Sequence, residues 1–330
     1  MANQVKTLAD AIRYFSDEQT CIDTVAGMRW LEGDGPTCPK CSAGKDRQHW
    51  LKNQKRWQCR DCGKQHSVKV GTIFEDSAIP LQKWLPAMWL IANCKNGISS
   101  YELARDVGVT QKSAWFMLHR IRESMKDTRT HKFGFGGPVE SDEAFIGPNP
   151  AKMNKAQRKK YSIKRGKIGN EGGMVGKTAV HGILDRELRQ VRAKVIPTVK
   201  RDVLQKMILD NVTPFAKVYT DEAVAYDGLS RNYIHRVINH SQEYVRGQVH
   251  TQGIENFWSL LKRMLRGTYI AVEPFHLDAY LSEQIFRYNN RATSDNPVTD
   301  SDRFALAVSQ VAGKRLTYAE LTGKVGETPI

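Results

Sequence analysis

Four cysteines stand in two matched pairs, Cys38-Pro-Lys-Cys41 and Cys59-Arg-Asp-Cys62, separated by residues 42–58. Two tight turns that each offer two thiolates make a tetrahedral soft-donor set, which is what a structural zinc ion requires. A redox dithiol needs one such pair, not two, and a set of four cysteines leaves no open coordination position for catalysis. His49 and His66 lie nearby, but the quartet needs neither. A second kind of chemistry is offered by acids spread along the chain. Asp142 lies in PVESDEAFIG, Asp221 in YTDEAVAYDG and Glu255 in HTQGIENFWSLLKRMLRGTY. Carboxylates that converge from separate elements are the natural ligands of hard divalent cations, and two such cations can clamp the attacking and leaving oxygens of phosphoryl transfer. Lys262 follows Glu255 by two helical turns, about 10 Å along the axis, where a cation would meet a phosphate beside the acids.

These residues need elements that bring them together. Runs with strand character cover Val139–Ile146, Thr178–Leu184, Gln190–Ile196, Ala216–Thr220 and Ile234–Ile238, with a helix over Arg201–Asn211. Further helices start near Thr251, which is placed to cap the first turn, and near His276. Strands, a helix, more strands and closing helices describe an α/β layer fold. Asp142 then sits on the first strand. Alternation puts Glu140 and Asp142 on one face and Ser141 and Glu143 on the other. Asp221 ends the fourth strand, and Glu222, one position on, points away from it. Before the glycine-rich joint FGFGG (133–137), helices are expected over 8–30 and Leu81–Asn93, with Cys21 and Cys94 as packed thiols. GISSYELARDVGVTQKSAWFMLHRIRESM reads as helix–turn–helix, capped by Ser99 or Ser100 and by Thr110, with Gly108 in the turn. The chain divides into residues 1–75 (helices and zinc ribbon), 76–130 (helix-turn-helix), 131–292 (α/β domain) and 293–330, a tail without an assigned role.

Lys and Arg number 50 against 35 Asp and Glu, a net charge of +15 that points to a polyanionic partner. Residues 151–170 carry eight Lys or Arg and no acid, and read as a basic loop suited to phosphate contact. No apolar run is long enough to span a bilayer and no signal-peptide h-region is evident, so a cytosolic protein is expected. Other nucleic-acid chemistries fare worse. No His-hydrophobic-His metal pair is present, and Tyr161, Tyr226 and Tyr288 lack the Arg and His helpers of a covalent tyrosine mechanism.

In order, RWLEGDGPTCPKC, CRDCGKQHSVKVGTIFEDSAIPLQKW, VESDEAFIG, KRGKIGNEGGMVGKTAVHGILDR, YTDEAVAY, VHTQGIENFWSLLKRMLRGTY and FRYNNR are spread across nearly the whole chain, residues 28–291. The whole resembles the bacterial insertion-sequence transposases that carry an N-terminal zinc ribbon and an Asp-Asp-Glu catalytic core. The resemblance implies a ribonuclease-H-like catalytic domain, with Asp142, Asp221 and Glu255 holding two Mg²⁺ and Lys262 assisting. It implies structural zinc on Cys38, Cys41, Cys59 and Cys62. Gln252 departs from the family's usual Asn and Ser141 from its usual apolar residue. The third acid varies among members, which keeps His250 and Asn256 beside Glu255 as alternatives. The implied activity is binding of an element's terminal inverted repeats, followed by Mg-dependent cleavage and strand transfer. Double-stranded DNA is the partner, in a homodimer or higher assembly within a bacterial, nucleoid-associated cytoplasmic pool. Gln111, Lys112 and Ser113 would read bases, and Lys159, Lys160, Lys164, Arg165, Arg263 and Arg266 would grip phosphates. A non-catalytic DNA-binding regulator and a ribonuclease-H-type nuclease without strand transfer are the alternatives.

Overall fold

Burial runs unbroken through Val180–Leu184 of one predicted strand and through Trp84–Ala92 of one predicted helix, so both elements lie inside the fold. The computed structural model describes residues 5–30, 35–147, 153–160, 176–238, 249–270, 272–294 and 296–324. The chain forms two compact units, one of residues 1–126 with 290–330 and one of residues 127–289.

The first unit begins with α1 (Leu8–Tyr14) and α2 (Glu18–Arg29), capped by Thr7 and Asp17. A three-stranded antiparallel ribbon follows, β1 (Gln48–Leu51), β2 (Arg56–Cys59) and β3 (Gln65–His66). The helix α3 (Leu81–Asn93) is buried over most of its circumference, as a helix apolar all round must be. The helices α4 (Ser100–Val107) and α5 (Gln111–Ser124) make the helix-turn-helix. Ser99 caps the first in a reciprocal box with Glu102, Gly108 ends it at φ +65°, and Thr110 caps the second.

In the second unit, β4 (Val139–Ile146), the short helix α6 (Lys155–Lys160), β5 (Thr178–Asp185), β6 (Gln190–Ile196), α7 (Arg201–Asn211), β7 (Lys217–Asp221) and β8 (Ile234–Ile238) precede α8 (Gln252–Met264) and α9 (Leu277–Asn289). The sheet order is β6-β5-β4-β7-β8. β4, β5 and β6 run antiparallel, whereas β7 lies parallel to β4 and β8 parallel to β7. Phe257, Trp258 and Leu261 of α8 pack with Leu281 and Tyr288 of α9 against Val180 and Leu184 on one face. Leu204 and Ile208 of α7 pack with Tyr226 and Leu229 against Val139, Ile183 and Val218 on the other. The sheet is thus a middle layer, and its central strands are β4 and β7.

Residues 290–330, of which 293–330 carry no sequence signal of role, belong to the first unit. There α10 (Asp300–Ser309) places Phe304 between Phe15 and Trp89, at centroid distances of 5.5 Å and 5.4 Å. Ile73 donates to the Val311 carbonyl and Gly313 to that of Gly71. The final turn α11 (Tyr318–Leu321) sets the Tyr318 ring against Phe116 and under the Lys112 ammonium.

Candidate active site and metal centres

The ribbon sulfurs converge because two turns repeat one hydrogen-bond pattern. Cys38 donates its N–H to the Ala43 carbonyl and accepts at its own carbonyl from Ser42, and Cys59 does the same with Lys64 and Gly63. Both turns need a left-handed residue, Ser42 at φ +59° and Gly63 at φ +68°. Cys38 Sγ lies 3.5 Å from Cys62 Sγ, and Cys41 Sγ 3.6 Å from Cys59 Sγ. A zinc–thiolate tetrahedron with bonds of about 2.3 Å has edges of about 3.8 Å, so the quartet fits the ion. The Cys62 backbone N–H, followed by opposing burial and then the Asp61 N–H, holds the Cys59 thiol down at about 6, which favours the thiolate a metal needs. His66 stands apart from the quartet, stacked on Trp57 and bonded to Gln48 at 3.1 Å. Cys21 is fully buried, and burial pushes its thiol up to about 12.

The acids meet because β4 and β7 are neighbours. Val139 pairs with Val218 and Glu140 with Tyr219. Two residues further along each strand, the same register sets Asp142 beside Asp221. Oxygens of Asp142, Glu143 and Asp221 all lie within 4.8 Å of one another, the one carboxylate cluster of this kind among the described residues. Glu255 is not in that cluster. It is exposed at the start of α8, where its Oε1 accepts from the Thr251 hydroxyl at 2.8 Å. It lines, with Asp142, Glu143, Trp258, Ser259, Lys262, Arg263 and Arg266, an open cleft of about 460 Å³. His250 is engaged elsewhere, with Arg186, and Asn256 is exposed.

Two contacts fix the geometry. The Trp258 indole N–H donates to Asp142 Oδ2 at 3.0 Å. Glu140, fully buried, accepts from Arg186 Nε at 2.6 Å and from the backbone N–H of Ile254 at 2.8 Å. Ile254 is the third residue of α8, the position whose amide an N-cap side chain normally satisfies. Thr251, expected to cap this helix, makes no side-chain cap; its hydroxyl goes to Glu255 and a carboxylate from β4 takes its place. That acceptor also opposes the positive end of the helix dipole. Gly253 leaves room for it, since a β-carbon there would stand 3.0 Å from both Glu140 oxygens.

Burial pushes Asp142 up to about 6; the Glu143 backbone N–H opposes this, and the charges of Asp221 and Glu255 add to it. Burial likewise pushes Glu143 up to about 7, against the hydrogen bond from Tyr226, with Asp142 and Asp221 adding. Crowded, half-buried carboxylates with hard oxygen donors fit a divalent cation, which relieves both burial and repulsion.

The other predicted contacts scatter. Gln111, Lys112 and Ser113 form the first turn of α5. Gln111 donates to Ser100 Oγ at 2.8 Å and Ser113 bonds Thr110, while Lys112 is exposed. From Met117 to Met125 every residue of this stretch except Glu123 is buried, which leaves the first turn as its open end. Arg263 and Arg266 join Lys262 on the cleft wall. Lys159 is exposed on α6, where a loop was expected. The Lys160 side chain, Lys164 and Arg165 lie outside the described residues. Sequence reasoning passed over Glu143, because alternation assigns it to the opposite face from Asp142. It gave no role to Glu140, Arg186 or Trp258. The signal for Glu143 was its place beside Asp142, midway along a central strand and level with the end of β7 at Asp221.

Residues 134–289 match the ISXO2-like transposase domain and residues 16–65 the transposase zinc-ribbon domain. An uncharacterized transposase-like protein of Haemophilus influenzae is 34% identical over 102 residues, 31% of this chain and 82% of that protein. The chain belongs to the zinc-ribbon transposase family. A second relative, an uncharacterized protein in transposable element ISH50 of Halobacterium salinarum, is 27% identical over 263 residues, 77% of this chain and 85% of its own length. Among solved structures, a chain of a simian T-cell lymphotropic virus intasome in complex with PP2A regulatory subunit B56 gamma aligns weakly. It covers 67% of this chain and 74% of its own, at 12% identity and a TM-score of 0.31. The family's ribonuclease-H-like core is the five-stranded sheet between α7 and the pair α8 and α9. No helix among the described residues is long and apolar enough to cross a membrane.

Proposed function

We propose that this transposase-family chain binds the ends of its mobile element and catalyses divalent-metal-dependent cleavage and strand transfer of DNA phosphodiesters. The observation that carries this reading is the convergence of Asp142, Glu143 and Asp221 within 4.8 Å, with Asp142 and Glu143 lining a cleft that Lys262, Arg263 and Arg266 also line. Asp142 and Asp221 hold the cation, Mg²⁺ in the cell, with Glu255 on the facing helix. A bound divalent ion there supplies Lewis acidity toward the phosphate and lowers the pKa of an attacking water or 3′-hydroxyl. The chain's own residues do the rest. Trp258 orients Asp142, Glu140 fixes the start of α8, and that helix presents Lys262, Arg263 and Arg266 to phosphate oxygens. The first turn of α5, with Lys112 exposed between the partly buried Gln111 and Ser113, enters the major groove, and the zinc-bound ribbon and Lys159 add backbone contacts. Two ends must be held at once, which calls for at least a dimer.

The test is a nicking and joining assay on DNA carrying the element's terminal repeats with Mg²⁺, comparing wild type with Asp142→Ala and Asp221→Ala. Activity lost in both variants with DNA binding retained is the expected result. Undiminished activity in the variants refutes the site. End binding without cleavage by the wild type identifies a regulator, and cleavage without joining of pre-cut ends identifies a nuclease.

A further inference from the structure

On the face of β4 opposite α8, a file of buried polar groups leads to the carboxylate cluster. Ser141 Oγ lies 2.7 Å from His181 Nε2. The Tyr226 hydroxyl lies 3.4 Å from Ser141 Oγ and 3.5 Å from His181 Nε2, and it donates to Glu143 Oε1. Ser141 and His181 are fully buried and Tyr226 is 1% exposed. The far ring nitrogen of His181 rests against Met207 Sδ at 3.1 Å. Burial pushes His181 down to about 3, so the imidazole is neutral at working pH.

Burying three polar side chains where apolar ones would pack costs free energy unless each is satisfied. Here they satisfy one another, and among the described residues the carboxylate bonded to the file is Glu143. The hydroxyl at its end has one proton to donate, and the carboxylate takes it. A carboxylate that accepts one such bond keeps lone pairs for a cation. Tyr226 reaches this place because it follows Asp221 by five residues, in the single turn of helix Val224–Tyr226 after β7. The turn that ends the strand at Asp221 therefore also delivers the donor to Glu143. Glu255, by contrast, is exposed and bonded to Thr251 on its own helix.

We infer that Glu143 is a third carboxylate ligand of the divalent-metal site, and that Tyr226, backed by Ser141 and His181, is the positioning residue that holds it toward Asp142 and Asp221. The inference rests on the reading of Asp142 and Asp221 as metal ligands. The mutual approach of the three acids within 4.8 Å gives it its geometry. The buried file gives it its direction: outer groups of this kind set a ligand's orientation, and their loss typically weakens metal binding by about 10–100-fold.

The experiment titrates Mn²⁺ into the full-length, zinc-loaded chain without DNA, by calorimetry and by the electron-spin signal of free Mn²⁺. Wild type is compared with Asp142→Asn, Glu143→Gln, Glu143→Asp, Glu255→Gln and Tyr226→Phe. Asp142→Asn and Glu143→Gln should each weaken binding by at least about tenfold, and Glu255→Gln by less. Tyr226→Phe should weaken it several-fold and move the pH midpoint of Mn²⁺ uptake, with urea stability that a merely structural tyrosine would not preserve. If Glu143→Gln does not fold, Glu143→Asp, which keeps the charge but shortens the reach, must show the loss. Wild-type Mn²⁺ affinity in the Glu143 variants, with Asp142→Asn impaired, overturns this inference and leaves the site reading standing. Wild-type affinity in Asp142→Asn overturns the site reading itself.

Discussion

Replacing Gly182 with alanine dislodges the indole that holds Asp142. Gly182 lies on β5 directly across from Asp142 on β4. A β-carbon built there would stand 2.6 Å and 2.7 Å from the Cζ2 and Cη2 atoms of Trp258, and 3.0 Å from Ile254 Cδ1. Carbon atoms in contact rest about 3.5–4.0 Å apart, so the ring must retreat by roughly 1 Å. Trp258 is 3% exposed and packs among Phe257, Leu261 and Tyr288, with little room to yield. Overpacking of this kind costs about 1–3 kcal/mol. The same retreat carries the indole N–H, now 3.0 Å from Asp142 Oδ2, out of hydrogen-bond range, and a bond to a charged group contributes about 1.5–3 kcal/mol. The expected loss is therefore about 3–5 kcal/mol in urea unfolding of the full chain. End cleavage should fall by up to about 100-fold, the usual cost of misplacing a reacting group by 1 Å. Trp258→Phe supplies the control, because a phenyl ring lacks the Cζ2–Cη2 edge. In that background Gly182→Ala should cost at least about 1 kcal/mol less than in wild type, a coupling that contacting residues show and distant ones do not. Additive costs, or a neutral Gly182→Ala, would refute the packing argument.

Other outcomes follow from the same structure. Glu140→Ala takes the carboxylate from Arg186 and the acceptor from the buried Ile254 amide and should cost about 3–5 kcal/mol, whereas Glu140→Gln, which keeps an acceptor for Ile254, should cost clearly less; urea midpoints decide. Asp142 and Glu143 are raised by burial to about 6 and about 7, so between the unfolded carboxylate range and those values the native chain binds more protons than the unfolded one. Magnesium-free protein should then lose stability as pH rises from about 4 to 8, by a few kcal/mol at most. Added Mg²⁺ should restore it, chiefly at the high end, and Glu143→Gln should flatten the slope; a midpoint that climbs with pH without metal contradicts this. Elemental analysis should find one equivalent of zinc in the wild type and close to none in Cys38→Ser or Cys59→Ser, with loss of ordered amide signals from β1 to β3 in the variants.

Strand positions were legible because their signal is local. Val139–Ile146, Gln190–Ile196 and Ile234–Ile238 begin and end where alternation and turn residues place them. The four-cysteine set was legible for the same reason, since each knuckle is complete within a few residues. What needed the fold were groups joined across the chain. Glu140 meets Arg186 and Ile254, which are 46 and 114 positions away, and no local pattern announces either contact. Glu143 was concealed by a rule that is true of strands: neighbours do face opposite sides, but where β7 stops at Asp221 and β4 runs on, Asp142 and Glu143 both line one cleft. Residues 293–330 gave no sign of where they belong because amphipathic helices such as α10 pack on any complementary surface, and α3 is more than 200 residues upstream.

That last arrangement sets an order of events during synthesis. The first unit is closed by a segment that leaves the ribosome only after the whole ribonuclease-H-like unit, at bacterial-scale rates on the order of ten seconds later. Until then α3 lacks the surface that buries Phe304, Ala307 and Val308, and α5 lacks the turn that carries Tyr318. A polypeptide that terminates early inside the second unit thus never completes the first.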